Sequence, residues 1–283
     1  MLRKILEVLQ EFDRFNWISK ILVYGRRRNR RRIAMNYYSD NLDLIKRWQK
    51  LDTEDSNFYY QLNPLNQVYL AHTISTVTGE TPAQVKYYFD ELLNDHSLRA
   101  HLENSKKVLG RKDTSIDYGR RLGWYALIRV SKPQLVVETG VEHGVGACVI
   151  TAALMKNSKE GFPGRYLGTD IRTSAGEVFT APYSSFGNIL YGDSIDSLKK
   201  IDEKIDIFIN DSDHSSEYEF QEYLTVKDRL SENSIILGDN SHVTDCLVRF
   251  SIQEGRNFLF FSEKPRNHWY PGAGIGISFR SRI

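Results

Sequence analysis

Two short acidic stretches carry the groups best suited to chemistry, Asp211-Ser212-Asp213-His214 and Gly238-Asp239-Asn240. Asp211, Asp239 and Asn240 together offer three oxygen ligands to one hard divalent cation, with water molecules completing an octahedron. Magnesium fits such an oxygen set best, whereas zinc bound through a histidine would lack a thiolate or a second well-spaced ligand. The alternative is a metal-free site in which the acids only cap turns and helices.

The first of these stretches also supplies the candidates for a general base. Asp213 and His214 are the predicted catalytic residues, because either could take a proton from a hydroxyl group within hydrogen-bond reach. A histidine titrates near neutral pH and suits this role. The alternative for His214, which precedes a predicted helix, is a helix cap or a polar group of the core.

A glycine-rich turn in the middle of the chain is the element that must position these stretches. The apolar run Leu135–Val137 ends in Glu138, and Gly140, Gly144 and Gly146 follow at close spacing before a helix. Glycine has no Cβ, so such a turn lets a ligand lie against the backbone. The dinucleotide spacing G-x-G-x-x-G is absent, and a purely structural strand-to-helix turn is the alternative.

From residue 118 onward, strands and helices alternate, and most predicted strands end in an acid. These acids are Glu138, Asp170, Asp193, Asp211 and Asp239. The alternation predicts a mostly parallel sheet with helices on both faces, and the carboxyl ends of parallel strands share one edge. The loop between the last two predicted strands, Phe258–Phe261 and Gly274–Phe279, is too short for a helical crossover, which predicts an antiparallel hairpin.

The region before the sheet, residues 34–117, should be helical. In it, Thr81-Pro82-Ala83-Gln84 predicts a helix start, with threonine as N-cap and proline at the first helical position. Most of its aromatic residues should lie in the core. They include Phe58, Tyr59, Tyr60 and Tyr69.

Residues 2–24 form a predicted amphipathic helix, with apolar residues recurring every three to four positions from Leu2 to Phe12. The cationic run Arg26–Arg32 should follow it as a solvated loop. The favoured interpretation is a helix docked on its own domain or on a second copy of the chain, which would make a homo-oligomer. The alternative is peripheral contact of residues 1–33 with an anionic membrane surface. Nucleic-acid binding is not expected, because the run lacks interleaved aromatic residues.

Composition indicates a soluble globular protein. Of the 283 residues, 41% are hydrophobic and 26% charged, and the net charge of +2 favours no polyanionic partner. Charged residues interrupt the apolar N-terminus, so neither a signal peptide nor a spanning helix is predicted. The two cysteines form no C-x-x-C motif. The expected location is the cytoplasm, with the inner membrane surface as an alternative.

The spacing from Glu138 through the glycine turn resembles the first motif of class I S-adenosylmethionine-dependent methyltransferases. The resemblance covers residues 118–283 and implies an α/β fold: a Rossmann-like, mostly parallel sheet with a terminal antiparallel strand, after an all-helical N-terminal region. The implied domains are a helix with a polybasic segment (1–33), a helical region (34–117) and the cofactor-binding domain (118–283). The implied cofactor-binding residues are Glu138, Gly140, Gly144, Asp170, Asp193 and Asp211.

In that family, the acid at the Glu138 position helps to hold the charged end of the cofactor, and the glycines make room for its methionine and ribose parts. The acid at the Asp170 position binds the ribose hydroxyls through charge-assisted hydrogen bonds. Asp193 matches the position beside the adenine.

The acidic stretches extend the resemblance to metal-dependent O-methyltransferases. Asp211, Asp239 and Asn240 are similar to the magnesium ligands of the catechol type, and Asp-x-Asp-His is closer to the macrocin O-methyltransferase and cephalosporin-hydroxylase-like branch. Ser212 and Asn240 depart from that branch, which usually has glycine and often aspartate there.

The resemblance implies magnesium-assisted methylation of a hydroxyl on a sugar, another small polyhydroxyl metabolite or a glycan precursor. The alternatives are a metal-independent O- or N-methyltransferase and a non-catalytic cofactor-binding or scaffold protein.

Overall fold

The computed structural model describes residues 2–51, 60–111 and 113–280. Its contacts divide the chain into two compact units, Met1–Leu51 and Asp52–Ile283. The side chains of residues 2, 3 and 5–15 lie outside the description, and so does the apolar stripe predicted from Leu2 to Phe12. The predicted core positions of Phe58 and Tyr59 lie outside it as well.

The first unit contains two helices, α1 (Leu2–Tyr37) and α2 (Ser39–Trp48). The arginine run, predicted as a loop, is part of α1. Arginine has a high intrinsic helix propensity, and no proline interrupts the sequence here, so the helix continues through the charged segment. Among the described helices, none combines the length and apolar character needed to cross a membrane.

The second unit combines helices with a single sheet. Its helices are α3 (Pro64–Thr78), α4 (Pro82–Leu93), α5 (His96–Val108), α6 (Arg121–Ser131), α7 (Val145–Lys159), α8 (Ser194–Leu198), α9 (Ser216–Val226) and α10 (Cys246–Gln253). Its strands are β1 (Leu135–Thr139), β2 (Arg165–Asp170), β3 (Gly187–Tyr191), β4 (Ile205–Asn210), β5 (Leu230–Gly238), β6 (Asn257–Ser262) and β7 (Gly274–Phe279).

The helical region begins with well-formed caps. The side chain of Asn63 accepts a hydrogen bond from Asn66 N at 2.8 Å, and Thr81 accepts one from Gln84 N at 3.2 Å. In both helices proline follows the cap, where its missing N–H costs nothing. Gly79 ends α3 with φ of 76°, a conformation that glycine adopts without strain. The predicted helix start at Thr81 is confirmed.

Within the described residues the sheet has seven strands in the order β3-β2-β1-β4-β5-β7-β6. Strands β1 to β5 are parallel to one another, and β7 is antiparallel to both β5 and β6. The predicted Rossmann-like sheet with its terminal antiparallel strand is confirmed. The strand order reverses at β1, because β2 lies on one side of it and β4 on the other, so the carboxyl end of β1 lies at the crevice between the two halves of the sheet.

Alternation along the strands distributes the core between two layers. Val136 packs in the cluster formed with α3 to α7, whereas the adjacent Val137 packs in the cluster formed with α8 to α10. Because successive side chains of a strand point to opposite faces, core residues lie on both faces of the sheet. Ile74 from α3 belongs to the first cluster together with Trp124 from α6, so the helical region and the sheet share one core.

We expect Ile74→Ala to destabilise the whole second unit, because Ile74 is fully buried and lies opposite Gly123 of α6. The cavity left behind should lower the free energy of unfolding by about 2–5 kcal/mol. Leu65 on the same helix is mostly exposed and serves as the matched control. Denaturant unfolding, followed by a signal from the sheet, should show a lower midpoint for Ile74→Ala and an unchanged midpoint for Leu65→Ala. Equal midpoints for the two variants would contradict a shared core.

Candidate active site

The glycine turn brings the ends of β1 and β4 into direct contact. Gly140 has φ of 82°, and a Cβ built on it would lie 1.9 Å from the carbonyl oxygen of Asp211. No other residue fits this approach. The amide of Asp211 donates to Thr139 O at 3.0 Å, and the amide of Gly140 donates to Thr169 O at 2.9 Å. Three strand ends are thus held at one edge.

A cavity of about 470 Å³ opens at this edge. Its wall includes most of the predicted site residues: Gly140, Asp170, Asp193, Asp211, Asp213, His214 and Asp239. The structure therefore brings these side chains together. Glu138, Gly144 and Asn240 lie outside the described wall of the cavity.

Asp170 is a rigidly held carboxylate in the cavity wall. Its Oδ2 accepts from Glu142 N at 2.9 Å, and its Oδ1 accepts from Arg172 N at 2.9 Å and faces Arg172 Nε at 3.4 Å. These bonds leave further lone pairs on both oxygens, so the group can still bind a pair of hydroxyls. A fixed carboxylate at the end of β2 matches the role predicted for Asp170, which stays a prediction.

Glu138 lies beneath the glycine turn rather than in the cavity wall. It is buried, and Tyr166 Oη donates to its Oε2. A Cβ on Gly146 would approach Glu138 Oε1 to 2.7 Å, so this glycine makes room for the carboxyl group. Burial raises the pKa of Glu138 to about 7, although the hydrogen bond from Tyr166 opposes this.

Asp193 also lines the cavity. Its Oδ1 caps α8 by accepting from Asp196 N at 3.1 Å, and its Oδ2 accepts from Tyr218 Oη at 3.0 Å. Gly192, with φ of 128°, turns the chain between β3 and this cap. Asp193 and the neighbouring tyrosine from α9 thus give the cavity a polar wall next to Asp170.

Asp211 and Asp239 form a buried acidic pair. Burial, together with the charge of Asp239, raises the pKa of Asp211 well above its ordinary value, although Arg120 opposes the shift. The guanidinium of Arg120 lies 2.6 Å from Asp239 Oδ1 and 3.8 Å from Asp211 Oδ2. A cationic side chain of the protein therefore bridges the two acids.

The two predicted bases differ in what they can do. His214 Nδ1 is hydrogen-bonded to Asn240 Oδ1, and Asn240 Nδ2 donates to Asp213 O at 3.4 Å. Since Asn240 Oδ1 can only accept, Nδ1 carries the proton and Nε2 of His214 keeps a lone pair. Asp213 instead accepts from Ser215 N at 2.6 Å, and this backbone hydrogen bond lowers the pKa of Asp213.

The described arrangement does not fit a magnesium ion held by Asp211, Asp239 and Asn240. Over residues 2–51, 60–111 and 113–280, no three His, Cys, Asp or Glu side chains are grouped to hold a metal ion. Asp239 Oδ1 is engaged by Arg120, and Asn240 Oδ1 by His214. A magnesium ion demands open oxygen ligands in near-octahedral geometry at about 2.0–2.1 Å. The magnesium site stays a prediction that this geometry does not support.

Sequence reasoning missed several residues of this site: Arg120, Arg121, Glu222 and Glu263. The two arginines line the cavity, and Glu263, fully buried after β6, accepts a hydrogen bond from Tyr60 Oη. The arginine pair did leave a signal, because two adjacent charges stand at the start of the mostly apolar helix α6. Glu263 and Glu222 left none, since their partners are remote in sequence.

The carboxyl group of Glu222, on α9, joins the strand ends through hydrogen bonds. Among the described residues, its carboxyl group accepts from Thr139 Oγ1 at 3.1 Å, Ser212 Oγ at 2.8 Å, Ser194 Oγ and Asn210 Nδ2. These partners belong to β1, β4 and the start of α8. Ser212, which departs from the Asp-Gly-Asp-His pattern, therefore donates a hydrogen bond to Glu222. Burial raises the pKa of Glu222 to about 7, although Ser194, Ser212 and Thr139 oppose it.

Comparison with known proteins agrees with this geometry. Residues 137–241 match the family model for a methyltransferase domain. Over this segment the chain is similar to a methyltransferase domain. The match runs from β1 through the glycine turn to the acidic pair after β5, so it spans the cavity described above. No curated protein matches the sequence at a significant level.

Solved structures share the fold at low sequence identity. The O-methyltransferase TomG from Streptomyces achromogenes, in complex with SAM, has a TM-score of 0.50 and 14% identity, covering 69% of this chain and 95% of TomG. The O-methyltransferase from Bacillus cereus, in complex with SAH, has a TM-score of 0.51 and 13% identity, covering 73% of this chain and all of that chain. The predicted class I methyltransferase enzyme is confirmed by the domain match together with the shared fold.

We expect the pKa of Glu222 to make stability depend on pH. Between about pH 4.5 and 7 the folded state keeps a proton that the unfolded state has lost, so stability falls as pH rises through this window. Glu222→Gln cannot ionise and should remove the part of the slope that Glu222 contributes, while the similar part from Glu138 remains. Relative to wild type it should gain on the order of 2–3 kcal/mol between pH 5 and pH 8.

Chemical unfolding at both pH values measures this difference. The control is Glu217→Gln, an exposed acid on the same helix, which should leave the slope unchanged. A Glu222→Gln variant that keeps the wild-type slope would show that the four donors hold the carboxylate ionised at all these pH values.

Proposed function

We propose that the protein transfers a methyl group from S-adenosylmethionine to a hydroxyl oxygen of a small-molecule acceptor. The observation that carries this proposal is the fixed carboxylate of Asp170 in the cavity, beside the glycine turn of a methyltransferase domain. SAM and SAH in the related folds of TomG and the Bacillus cereus enzyme support the choice of cofactor. Both relatives are O-methyltransferases, which supports oxygen as the acceptor atom.

The cavity wall provides what such a cofactor needs. Gly140 offers open backbone at the turn, Asp170 offers carboxylate oxygens for the ribose hydroxyls, and Asp193 offers polar atoms for the adenine. Asp211 closes the wall between them. Glu138 and Gly144 shape the turn from below, so we propose that they act on the cofactor through the backbone that they position.

His214 is the better of the two candidate bases. Its Nε2 has a free lone pair, because Nδ1 is committed to Asn240, and the residue lines the cavity. Asp213 has a lowered pKa and accepts from the amide of Ser215 just before α9, which makes it a weak proton acceptor. When bound, S-adenosylmethionine supplies an electrophilic methyl group. His214 then removes the proton of the attacking hydroxyl, and the cavity fixes the line of attack.

We propose a polar acceptor such as a sugar, another small polyhydroxyl metabolite or a glycan precursor. The cavity is lined by hydrogen-bonding groups, among them Asp213, His214 and Tyr218. Several convergent polar groups favour a ligand with several hydroxyls over an apolar one. Magnesium assistance stays a prediction, and metal-independent transfer to oxygen or nitrogen is the alternative that the engaged ligand atoms favour.

We also propose that the N-terminal helix contacts an anionic membrane surface. In α1, Trp17, Ile18 and Leu22 are exposed, and the arginines from Arg26 to Arg32 follow within the same helix. Apolar side chains beside a dense cationic segment suit the boundary between lipid tails and anionic head groups. Such contact would place the enzyme at the inner membrane surface and close to lipid-linked acceptors. Docking of the helix on a second copy of the chain is the alternative, with a homo-oligomer as its consequence.

We expect SAH to raise the melting temperature of the wild-type protein, because a ligand that binds only the folded state stabilises it. Asp170→Ala should lose most of this shift. His214→Ala should keep the shift and lose methyl transfer, since it acts on the acceptor and not on the cofactor. Calorimetric melting scans with SAH and transfer of a labelled methyl group to polyhydroxyl acceptors measure the two effects. A folded wild-type protein without any shift would overturn the cofactor assignment.

We expect the protein to bind vesicles containing anionic phosphatidylserine at low salt and to be released at high salt, because salt screens the attraction. Each arginine near the surface should contribute about 1 kcal/mol. Replacing the six arginines from Arg26 to Arg32 by glutamine should abolish sedimentation with vesicles. The control replaces Lys199 and Lys200, exposed lysines remote from α1 in sequence, and should keep it. Wild-type protein that never sediments would favour the docked helix.

A further inference from the structure

A buried guanidinium lies among three carboxyl groups at the inner end of the cavity. Arg120 Nη1 is 2.6 Å from Asp239 Oδ1 and 4.0 Å from Glu263 Oε2, and Nη2 is 3.8 Å from Asp211 Oδ2. The side chain of Arg120 is 12% exposed, that of Asp239 is 8% exposed and that of Glu263 is fully buried. This is the position at which the sequence predicts a divalent cation.

We propose that Arg120 is the built-in cation of this methyltransferase and takes the place of a metal ion between Asp211 and Asp239. The effect of Arg120 on turnover rests on the proposed function, whereas its effect on metal binding does not. Arg120 is a positioning residue: it acts through the two acids that close the cavity. The enzyme then works without magnesium.

The charges of the cluster explain why one guanidinium suffices. A guanidinium is protonated at every physiological pH, so it supplies a permanent positive charge. The carboxyl groups of Asp239, Asp211 and Glu263 lie around this charge, and Tyr60 donates a hydrogen bond to Glu263. A second, divalent cation would lie within a few ångströms of the guanidinium and be repelled by it.

The backbone before α6 holds Arg120 at this place. Gly119 has φ of 51°, and a Cβ on it would lie 3.1 Å from the carbonyl oxygen of Tyr60. The amide of Arg121 donates to Tyr118 O at 2.9 Å, which closes the turn. Tyr60 therefore contacts the turn through its backbone and Glu263 through its hydroxyl group. The side chain of Arg120 is therefore held in one position, as a cation that replaces a metal ion must be.

The proposal is tested with full-length protein that has been stripped of metal by chelator. Isothermal titration calorimetry with magnesium chloride, and melting temperatures in magnesium chloride or in potassium chloride of equal ionic strength, report metal binding without any need for activity. Wild type should show neither heat of binding nor a magnesium-specific rise in melting temperature. Arg120→Ala vacates the space between the acids, so magnesium should raise its melting temperature by several degrees.

Two further variants make the result specific. Arg120→Ala combined with Asp239→Asn should lose the magnesium response again, because one of the carboxylates is gone. Arg121→Ala removes the neighbouring arginine of the same cavity wall but leaves Arg120 in place, and it should gain no response. Methyl transfer by wild type, where an acceptor has been found, should be unchanged by excess chelator.

Magnesium binding by wild type that Asp239→Asn removes would overturn the proposal. A folded Arg120→Ala variant that ignores magnesium would overturn it as well. Where Arg120→Ala does not fold, the comparison of wild type with Asp239→Asn decides the question alone. A protein that transfers no methyl group but follows the predicted pattern of metal binding would refute the proposed function and keep the role of Arg120.

Discussion

The close approach of two strand ends at Gly140 is the constraint on which the site depends. Because a Cβ there would lie 1.9 Å from the carbonyl oxygen of Asp211, only glycine lets β1 end against β4. The backbone hydrogen bonds of Gly140 and Asp211 then join β1 to both of its neighbours. Asp170 and Asp211, which are remote in sequence, become walls of the same cavity. The sheet register and the chemistry are therefore fixed by one contact.

Buried acids surround this edge, and the protein neutralises each in a different way. Glu222 is surrounded by hydroxyl and amide donors, Glu138 by the hydroxyl of Tyr166, and the acids after β4 and β5 by Arg120. A buried carboxylate without such partners would be very costly. Each donor thus holds a carboxyl group in one orientation, and the cavity gains a rigid wall on which a ligand can be aligned.

Much of the fold follows from local sequence signals. The Thr81-Pro82 cap, the alternation of strands and helices and the antiparallel final pair all express local propensities and patterns, and the structure confirms each of them. The strand-end acids were predictable for the same reason, since parallel strands end at one edge. The roles of Arg120 and Glu263 were not, because their meeting depends on packing of the helical region against β6. The prediction of a loop at the arginine run is wrong, because a dense charge does not prevent residues of high helix propensity from continuing α1.

The central claim is that Asp170 and the glycine turn form the cofactor site of a methyltransferase. A crystal structure of the protein with SAH tests it most directly. The account predicts both ribose hydroxyls within hydrogen-bond distance of the Asp170 carboxylate, with the ligand lying along Gly140 and its base beside Asp193. A structure in which SAH binds elsewhere, or in which Asp170 makes no contact with it, would contradict the account.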